Sequence, residues 1–176
     1  MGNTSVNIVL CGVGGQGING VTRQLHLHCL NQGWHCVSAV YKGGAQRLGS
    51  VRAEIRLFPP SSDAVELKSS QILPGTLHAL IVMEQWEGLR YVSLCNPSTW
   101  MLMDEFVEFP PGNRDPQQNE YNPSKIWEGL NNPKITKDYK AMAIAEWGHA
   151  RFTAIAMLNE YFEVAKLPLE KIKNNK

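Results

Sequence analysis

No two of the four cysteines, Cys11, Cys29, Cys36 and Cys95, form a C-x-x-C pair. The thiolate spacing that holds zinc or an iron–sulfur cluster is therefore missing. Isolated thiols of this kind read as small buried hydrophobes. Cys11, which abuts a glycine turn, would face a bound group only if its strand ended early. Long apolar runs are also missing: stretches such as residues 79–83 fall far short of the ~20 residues that span a bilayer. The N-terminus has neither the charged region nor the apolar core of a secretion signal. Met1-Gly2 would suit N-myristoylation if Ser or Thr stood at position 6, but Val6 does. These absences predict a cytoplasmic protein with no membrane partner.

Charge of one sign is scarce as well. Lys and Arg number 17 against 16 Asp and Glu, a net +1, and they are scattered. A basic stripe for nucleic acid or for an anionic membrane surface is therefore absent. No H-E-x-x-H, G-x-S-x-G or G-x-x-x-x-G-K-[ST] occurs. His26 and His28 in the first helical stretch, and His149 beside Gly148, lack companion ligands and read as surface or packing residues. No catalytic residue and no metal ligand is expected in this chain.

What is present is a core-forming chain. Apolar residues make up 43% of the 176, and no Gly, Ser or Pro linker divides two halves, so residues 1–176 read as one domain. The organising stretch is VNIVLCGVGGQGING, residues 6–20. Its branched residues run into Gly12, Gly14 and Gly17, which predicts a central parallel strand entering a tight turn. Those glycines satisfy G-x-G-x-x-G, whose missing side chains let a phosphate or a partner's backbone approach closely. A helix follows, through Val21, Leu25, Leu27 and Leu30 to Gly33. A nicotinamide site wants a carboxylate about twenty residues on, at the end of the second strand. The first acidic residue after the turn is Glu54, inside the following strand.

Residues 34–41 predict the second strand, followed by Gly43, Gly44, Ala45, Gln46, Arg47, Leu48, Gly49 and Ser50, a donor-rich glycine loop. Both glycine loops follow strand ends, so in a parallel sheet they share the edge where ligands gather. Residues 51–57 alternate without fault, predicting a half-buried strand antiparallel to its predecessor that shows Arg52, Glu54 and Arg56 to water or to a partner, with a solvated face the plainer reading. Residues 77–83 predict another strand. Glu84 after it is either a functional acid or a helix-start residue, and a short helix over 84–92 and a strand over 99–103 follow. Residues 110–133, with five prolines, read as a long loop in which Trp127, Ile126 and Leu130 either anchor a helical turn or sit on another subunit. Helical patterns run from Asp138 to Gly148 and over 152–166, and Pro168 can open a last helix to Lys176. The fold class expected is α/β: a three-layer, Rossmann-like, mixed but mostly parallel sheet with helices on both faces.

The turn Gly12-Val13-Gly14-Gly15-Gln16-Gly17, followed by Gly43-Gly44-Ala45-Gln46-Arg47-Leu48-Gly49-Ser50 and a strand ending in Ile55-Arg56, resembles the gamma domain of 2-oxoacid:ferredoxin oxidoreductases. The Ala-Gln-Arg-x-Gly-Ser form is most similar to the small beta subunit of indolepyruvate ferredoxin oxidoreductase. The family usually carries Gly where Leu48 stands, and Asn, Asn and Gly where this chain has His149, Thr153 and Asn159. These departures bear on substrate class and docking surface more than on the fold.

The resemblance implies a non-catalytic subunit of a complex in which a partner binds thiamine diphosphate, decarboxylates a 2-oxoacid and passes electrons through iron–sulfur clusters to ferredoxin. Coenzyme A accepts the acyl group. Gly12, Gly14, Gly15, Gln16, Gly17, Gly43, Gln46, Arg47, Gly49 and Ser50 would form loops that face the partner or a cofactor. Arg47 could pair a carboxylate or phosphate bidentately, and Gln16 and Gln46 could bond backbone or coenzyme A. Alternatively, both loops only make tight turns. Two other functions stay open: a free-standing nucleotide- or flavin-binding oxidoreductase, and a purely structural assembly module.

Overall fold

Along β1 (Val6–Val13), Ile8 and Leu10 enter one core layer and Val9 and Cys11 the other. A continuous branched run dictates this burial on two faces for a strand in mid-sheet. The computed structural model describes residues 5–44, 49–60, 69–108 and 122–173. After β1 come α1 (Ile18–Asn31), β2 (His35–Lys42), β3 (Ser50–Phe58), β4 (Leu77–Val82), α2 (Gln85–Leu89), β5 (Cys95–Asp104), α3 (Ser124–Glu128), β6 (Lys134–Lys137), α4 (Tyr139–Trp147) and α5 (Thr153–Val164). Single 3-10 turns occur at Val92–Leu94 and Ala150–Phe152.

The six strands form one sheet in the order β2-β3-β1-β4-β5-β6. β3 alone runs against its neighbours, antiparallel to both β1 and β2, while β1, β4, β5 and β6 pair in parallel. The connection from β2 to β3 is too short for a crossover helix, which forces the antiparallel step. β1 is therefore central but parallel on one side only. Residues of α1, α4 and α5 pack with Ile8, Leu10 and Ile55 on one face. Leu89 of α2 and Trp127 of α3 pack with Val9, Leu80 and Met101 on the other. The architecture is the expected mixed, mostly parallel sheet between helical layers.

Several local expectations differ from the structure. Glu54 is 5% exposed. Its carboxylate meets Arg52 at 3.1 Å and accepts the Ile72 N–H at 3.2 Å. The Arg56 guanidinium donates to Asn7, to the Ser69 carbonyl and to Ser5. The charged side of β3 is thus covered: an alternating pattern marks the apolar side of a strand but not what lies over the polar one. In α1, Leu27 and Leu30 are 55% and 68% exposed, and Ile18, Val21, Leu25 and Cys29 make the buried stripe.

Strand β6 went unforeseen, being four residues after Pro133 with only Ile135 strongly apolar. Residues 167–173 form no helix. Instead Asn159 Oδ1 accepts the Ile172 N–H at 2.7 Å, and its Nδ2 donates to the Ile172 carbonyl at 3.1 Å. One side-chain amide thereby satisfies both backbone groups and lets Ile172 and Leu169 enter the core. Trp127 is buried in α3 and makes the helical turn.

Gly88 of α2 lies against the sheet, and a Cβ there would meet Val82 Cγ1 at 2.5 Å and Trp127 Cζ2 at 2.9 Å. Gly88→Ala gains up to ~1 kcal/mol of helix propensity but overpacks the layer at about 1–3 kcal/mol. The variant is expected to lose net stability, read as a lower urea midpoint at unchanged m. An equal or raised midpoint would contradict the close approach of α2 to β4.

Candidate functional site

The carboxyl ends of β1, β4 and β5 meet at one sheet edge, and the first glycine turn sits there. A Cβ on Gly12 would lie 2.2 Å from Gln16 Oε1, so the glycine makes room for that side chain. Gln16 Oε1 accepts the Val13 N–H at 2.7 Å and Nε2 donates to the Met83 carbonyl at 2.9 Å. The amide of Gln16 is therefore spent within the chain, tying the exit of β1 to that of β4. Gly15 and Gly17 hold φ of 98° and 83°, in the left-handed region that only glycine enters freely.

The Gly14 N–H donates to the Gly49 carbonyl at 2.9 Å, and the Gly43 N–H to the Ser50 carbonyl at 2.7 Å. The flanks of the second glycine loop thus abut the first. Ser50 Oγ stands 3.5 Å from the Tyr91 hydroxyl. Ala45, Gln46, Arg47 and Leu48 lie outside the described residues.

Opposite the glycine turn stands the turn between α4 and α5. An added Cβ at Gly17 would lie 3.3 Å from the Arg151 carbonyl, so the two turns are in contact. Between them opens a cleft of about 260 Å³ lined by Gly14, Gly15, Gln16, Asp104, Phe106, Lys140, His149, Arg151 and Thr153 among others. Asp104, the last residue of β5, is 2% exposed. Its Oδ1 accepts the Phe106 N–H and its Oδ2 the Lys140 N–H, each at 2.9 Å. Burial pushes this carboxyl above its ordinary pKa, and the two backbone N–H groups partly counter that. His149 Nδ1 accepts the Arg151 N–H at 3.0 Å, which leaves Nε2 as the protonated nitrogen of the neutral ring.

Sequence reasoning missed Asp104, Lys140 and Arg151 and gave His149 only a surface or packing role. The one available signal was an acidic residue at the carboxyl end of a strand, where sites of open α/β sheets gather. Ending that strand at Met103 concealed it. Glu84 resolves as a helix-start residue: Oε2 accepts the Glu87 N–H at 2.7 Å and Oε1 the Glu108 N–H at 3.0 Å. Cys11 is fully buried, because β1 continues past it to Val13. Burial raises its thiol pKa well above the ordinary value. Cys29 and Cys36 do meet in space and share a hydrogen bond that lowers Cys29 and raises Cys36. Among the described residues no cluster of three or more His, Cys, Asp or Glu could hold a metal. No described helix is long and apolar enough to cross a membrane.

A mixed α/β sheet with a glycine turn at its carboxyl edge defines a Rossmann-like α/β fold. Residues 7–175 match the family model of pyruvate ferredoxin/flavodoxin oxidoreductase, and the chain belongs to that family. It is 30% identical over 106 residues to indolepyruvate oxidoreductase subunit IorB of Archaeoglobus fulgidus, a match covering 60% of this chain and 49% of that protein. The match thus spans about half the length of the curated relative. Among solved structures, the chain resembles pyruvate oxidoreductase subunit PORC of Thermotoga maritima, with a TM-score of 0.63 at 16% identity, over 93% of this chain and 79% of that one. It also resembles the keto/oxoacid ferredoxin oxidoreductase gamma subunit of Geobacter sulfurreducens, with a TM-score of 0.60 at 18% identity, over 94% and 80%. A third likeness is to the 2-oxoglutarate:ferredoxin oxidoreductase of Magnetococcus marinus, solved with 2-oxoglutarate, coenzyme A and succinyl-CoA bound. There the TM-score is 0.61 at 13% identity, over 93% of this chain and 25% of that one.

Two outcomes follow from the clamp and the buried acid. Gln16→Ala strands the Val13 N–H and the Met83 carbonyl, so it is expected to cost about 1–3 kcal/mol. It should also speed hydrogen exchange at Val13; unchanged exchange there would contradict the clamp. Because the folded pKa of Asp104 is raised, its contribution is full below the ordinary carboxylate range and is lost as pH rises through the folded value. The stability of wild type relative to Asp104→Asn should thus shift in the variant's favour as pH rises from about 4, and a shift the other way would contradict the assignment.

Proposed function

We propose that this chain is the non-catalytic, gamma-type small subunit of a thiamine-diphosphate-dependent 2-oxoacid:ferredoxin oxidoreductase, of the indolepyruvate type. Residues 1–176 act as one domain in the cytoplasm. The observation that supports the reading is the Gly14–Gly49 hydrogen bond, which joins the first glycine turn to a flank of the second, together with the family membership of the chain. That rim faces the catalytic subunit, which carries thiamine diphosphate and iron–sulfur clusters, decarboxylates the 2-oxoacid and reduces ferredoxin. The similarity to IorB favours indolepyruvate among the substrates. Arg47 pairs with a carboxylate of the partner or a phosphate of coenzyme A, and Gln46 bonds backbone or coenzyme A. Gln16 holds the first loop in the shape that this docking requires.

Against a free-standing nucleotide-binding oxidoreductase stands the sequence itself: the first acidic residue after the glycine turn is Glu54, inside β3, so the end of β2 carries no carboxylate for the ribose hydroxyls of a nicotinamide cofactor.

The test is co-expression with the thiamine- and cluster-bearing subunit. Wild type is expected to co-purify with it and support 2-oxoacid-dependent ferredoxin reduction, while the isolated chain stays colourless and inactive. Arg47→Ala is expected to weaken assembly about tenfold or more, read by sedimentation. Unchanged assembly and turnover in Arg47→Ala would remove Arg47 from the interface. Substrate oxidation by the isolated chain would overturn the subunit reading.

A further inference from the structure

The two edges of the sheet are finished differently. At one end of the order, β6 is four residues long, follows Pro133 and carries a lysine at each end, the devices that keep a strand edge from pairing with another chain. At the other end, β2 runs for eight residues without proline or bulge, and its interior, residues 36–41, is uncharged. The register shows which of its backbone groups are free. The Gly43 N–H donates to the Ser50 carbonyl, and hydrogen-bonded pairs recur at every second residue of an antiparallel ladder. Tyr41, Ala39 and Val37 therefore turn their backbone groups to Arg52, Glu54 and Arg56. Cys36, Ser38, Val40 and Lys42 aim theirs away from the sheet, and among the described residues no hydrogen bond reaches those groups. Helix α1 flanks this edge: His26 Nε2 lies 2.8 Å from Ser38 Oγ. Leu30, one turn beyond His26, is 68% exposed, and Leu27 beside it is 55% exposed.

We propose that the β2 edge pairs with the β2 edge of a second copy of this chain, joining two six-stranded sheets across a two-fold axis at Ala39. An axis normal to the sheet runs the strands antiparallel and keeps each side chain on its own face, so even-numbered residues oppose even and odd oppose odd. With Ala39 opposite the partner's Ala39, Val40 meets the partner's Ser38, Cys36 the partner's Lys42 and Val37 the partner's Tyr41. All four outward-facing residues then have an opposite number, giving about eight backbone hydrogen bonds. An axis at Ser38 would instead set Lys42 against the partner's Trp34, outside the strand. Tyr41 on Val37 is the aromatic and branched pairing that antiparallel strands favour. Charge decides for a second copy: His35 and Lys42 sit at opposite ends of β2, so antiparallel self-pairing keeps the two Lys42 ammonium groups at opposite ends of the joined ribbon. The two α1 helices come side by side on one face, which covers Leu27 and Leu30. The pairing goes beyond the subunit reading and does not depend on it, since this edge runs along the side of the sheet and the docking rim crosses its end.

The test is sedimentation velocity of the full chain from about 1 to about 100 µM, over which wild type is expected to pass from monomer to a closed dimer. Val40→Pro removes one outward N–H while sparing the ladder to β3, and Leu30→Glu puts a carboxylate on the exposed flank of α1. Each should weaken the dimer about tenfold or more, with the far-UV circular dichroism of wild type. Leu30 is exposed, so its variant keeps the test decisive if Val40→Pro fails to fold. Ala39→Cys, oxidised with glutathione disulfide, should form a covalent dimer, whereas Lys171→Cys, in the stretch that meets His28 on the other flank of α1, should not. A monomer at every concentration, a dimer indifferent to both Val40→Pro and Leu30→Glu, or growth beyond two copies would overturn the proposal. So would failure of Ala39→Cys to cross-link. With the catalytic subunit co-expressed, that cross-link should persist; its loss would assign the edge to the catalytic subunit and overturn self-pairing. Assembly with the catalytic subunit is read separately, so its loss with the dimer intact defeats the docking role alone.

Discussion

The side chain of Gln16 bridges two strand exits, with the Val13 N–H at one end and the Met83 carbonyl at the other. β1 and β4 are parallel neighbours, and where parallel strands stop, their last backbone groups lose the ladder that satisfied them. One amide, carrying an acceptor and a donor, satisfies both. Gly12 must lack a side chain for that amide to fit. The first glycine of the G-x-G-x-x-G spacing thus serves an internal packing need, and the third brings the turn against Arg151. Gly15 remains as the glycine whose backbone is open to a visitor.

Much of the fold was legible because it rests on short-range signals. The branched run before Gly12, the alternation over 51–57 and the glycine at 148 each act through neighbouring residues, and each element formed. The antiparallel step to β3 followed from loop length alone. What escaped depended on contacts distant in sequence. The cover over Glu54 comes from residues 69–72, and the path of residues 167–173 is dictated by Asn159. β6 is too short for a pattern and exists because β5 offers it an edge. The site divides in the same way. Its glycines were readable, because backbone conformation leaves a sequence trace. Asp104, Lys140 and Arg151 come from three separate elements that only the folded sheet brings together.

The three positions near the C-terminus that the sequence singles out part ways in the folded chain. His149 and Thr153 line the cleft at the glycine turn, whereas Asn159 lies in the core and holds residue 172. Proximity in the sequence therefore does not sort a residue at a surface from one in a contact that closes the fold; the folded contacts do.

The stitching of Ile172 to Asn159 also sets an order of events during synthesis. Ile8 and Ile172 belong to the same apolar layer, so the layer started by the first strand cannot be sealed until residue 172 has left the ribosome. Until then α1 and α5 have an uncovered seam, of the kind that chaperones recognise on nascent chains. A chain cut short before residue 169 would consequently be left with this interior open.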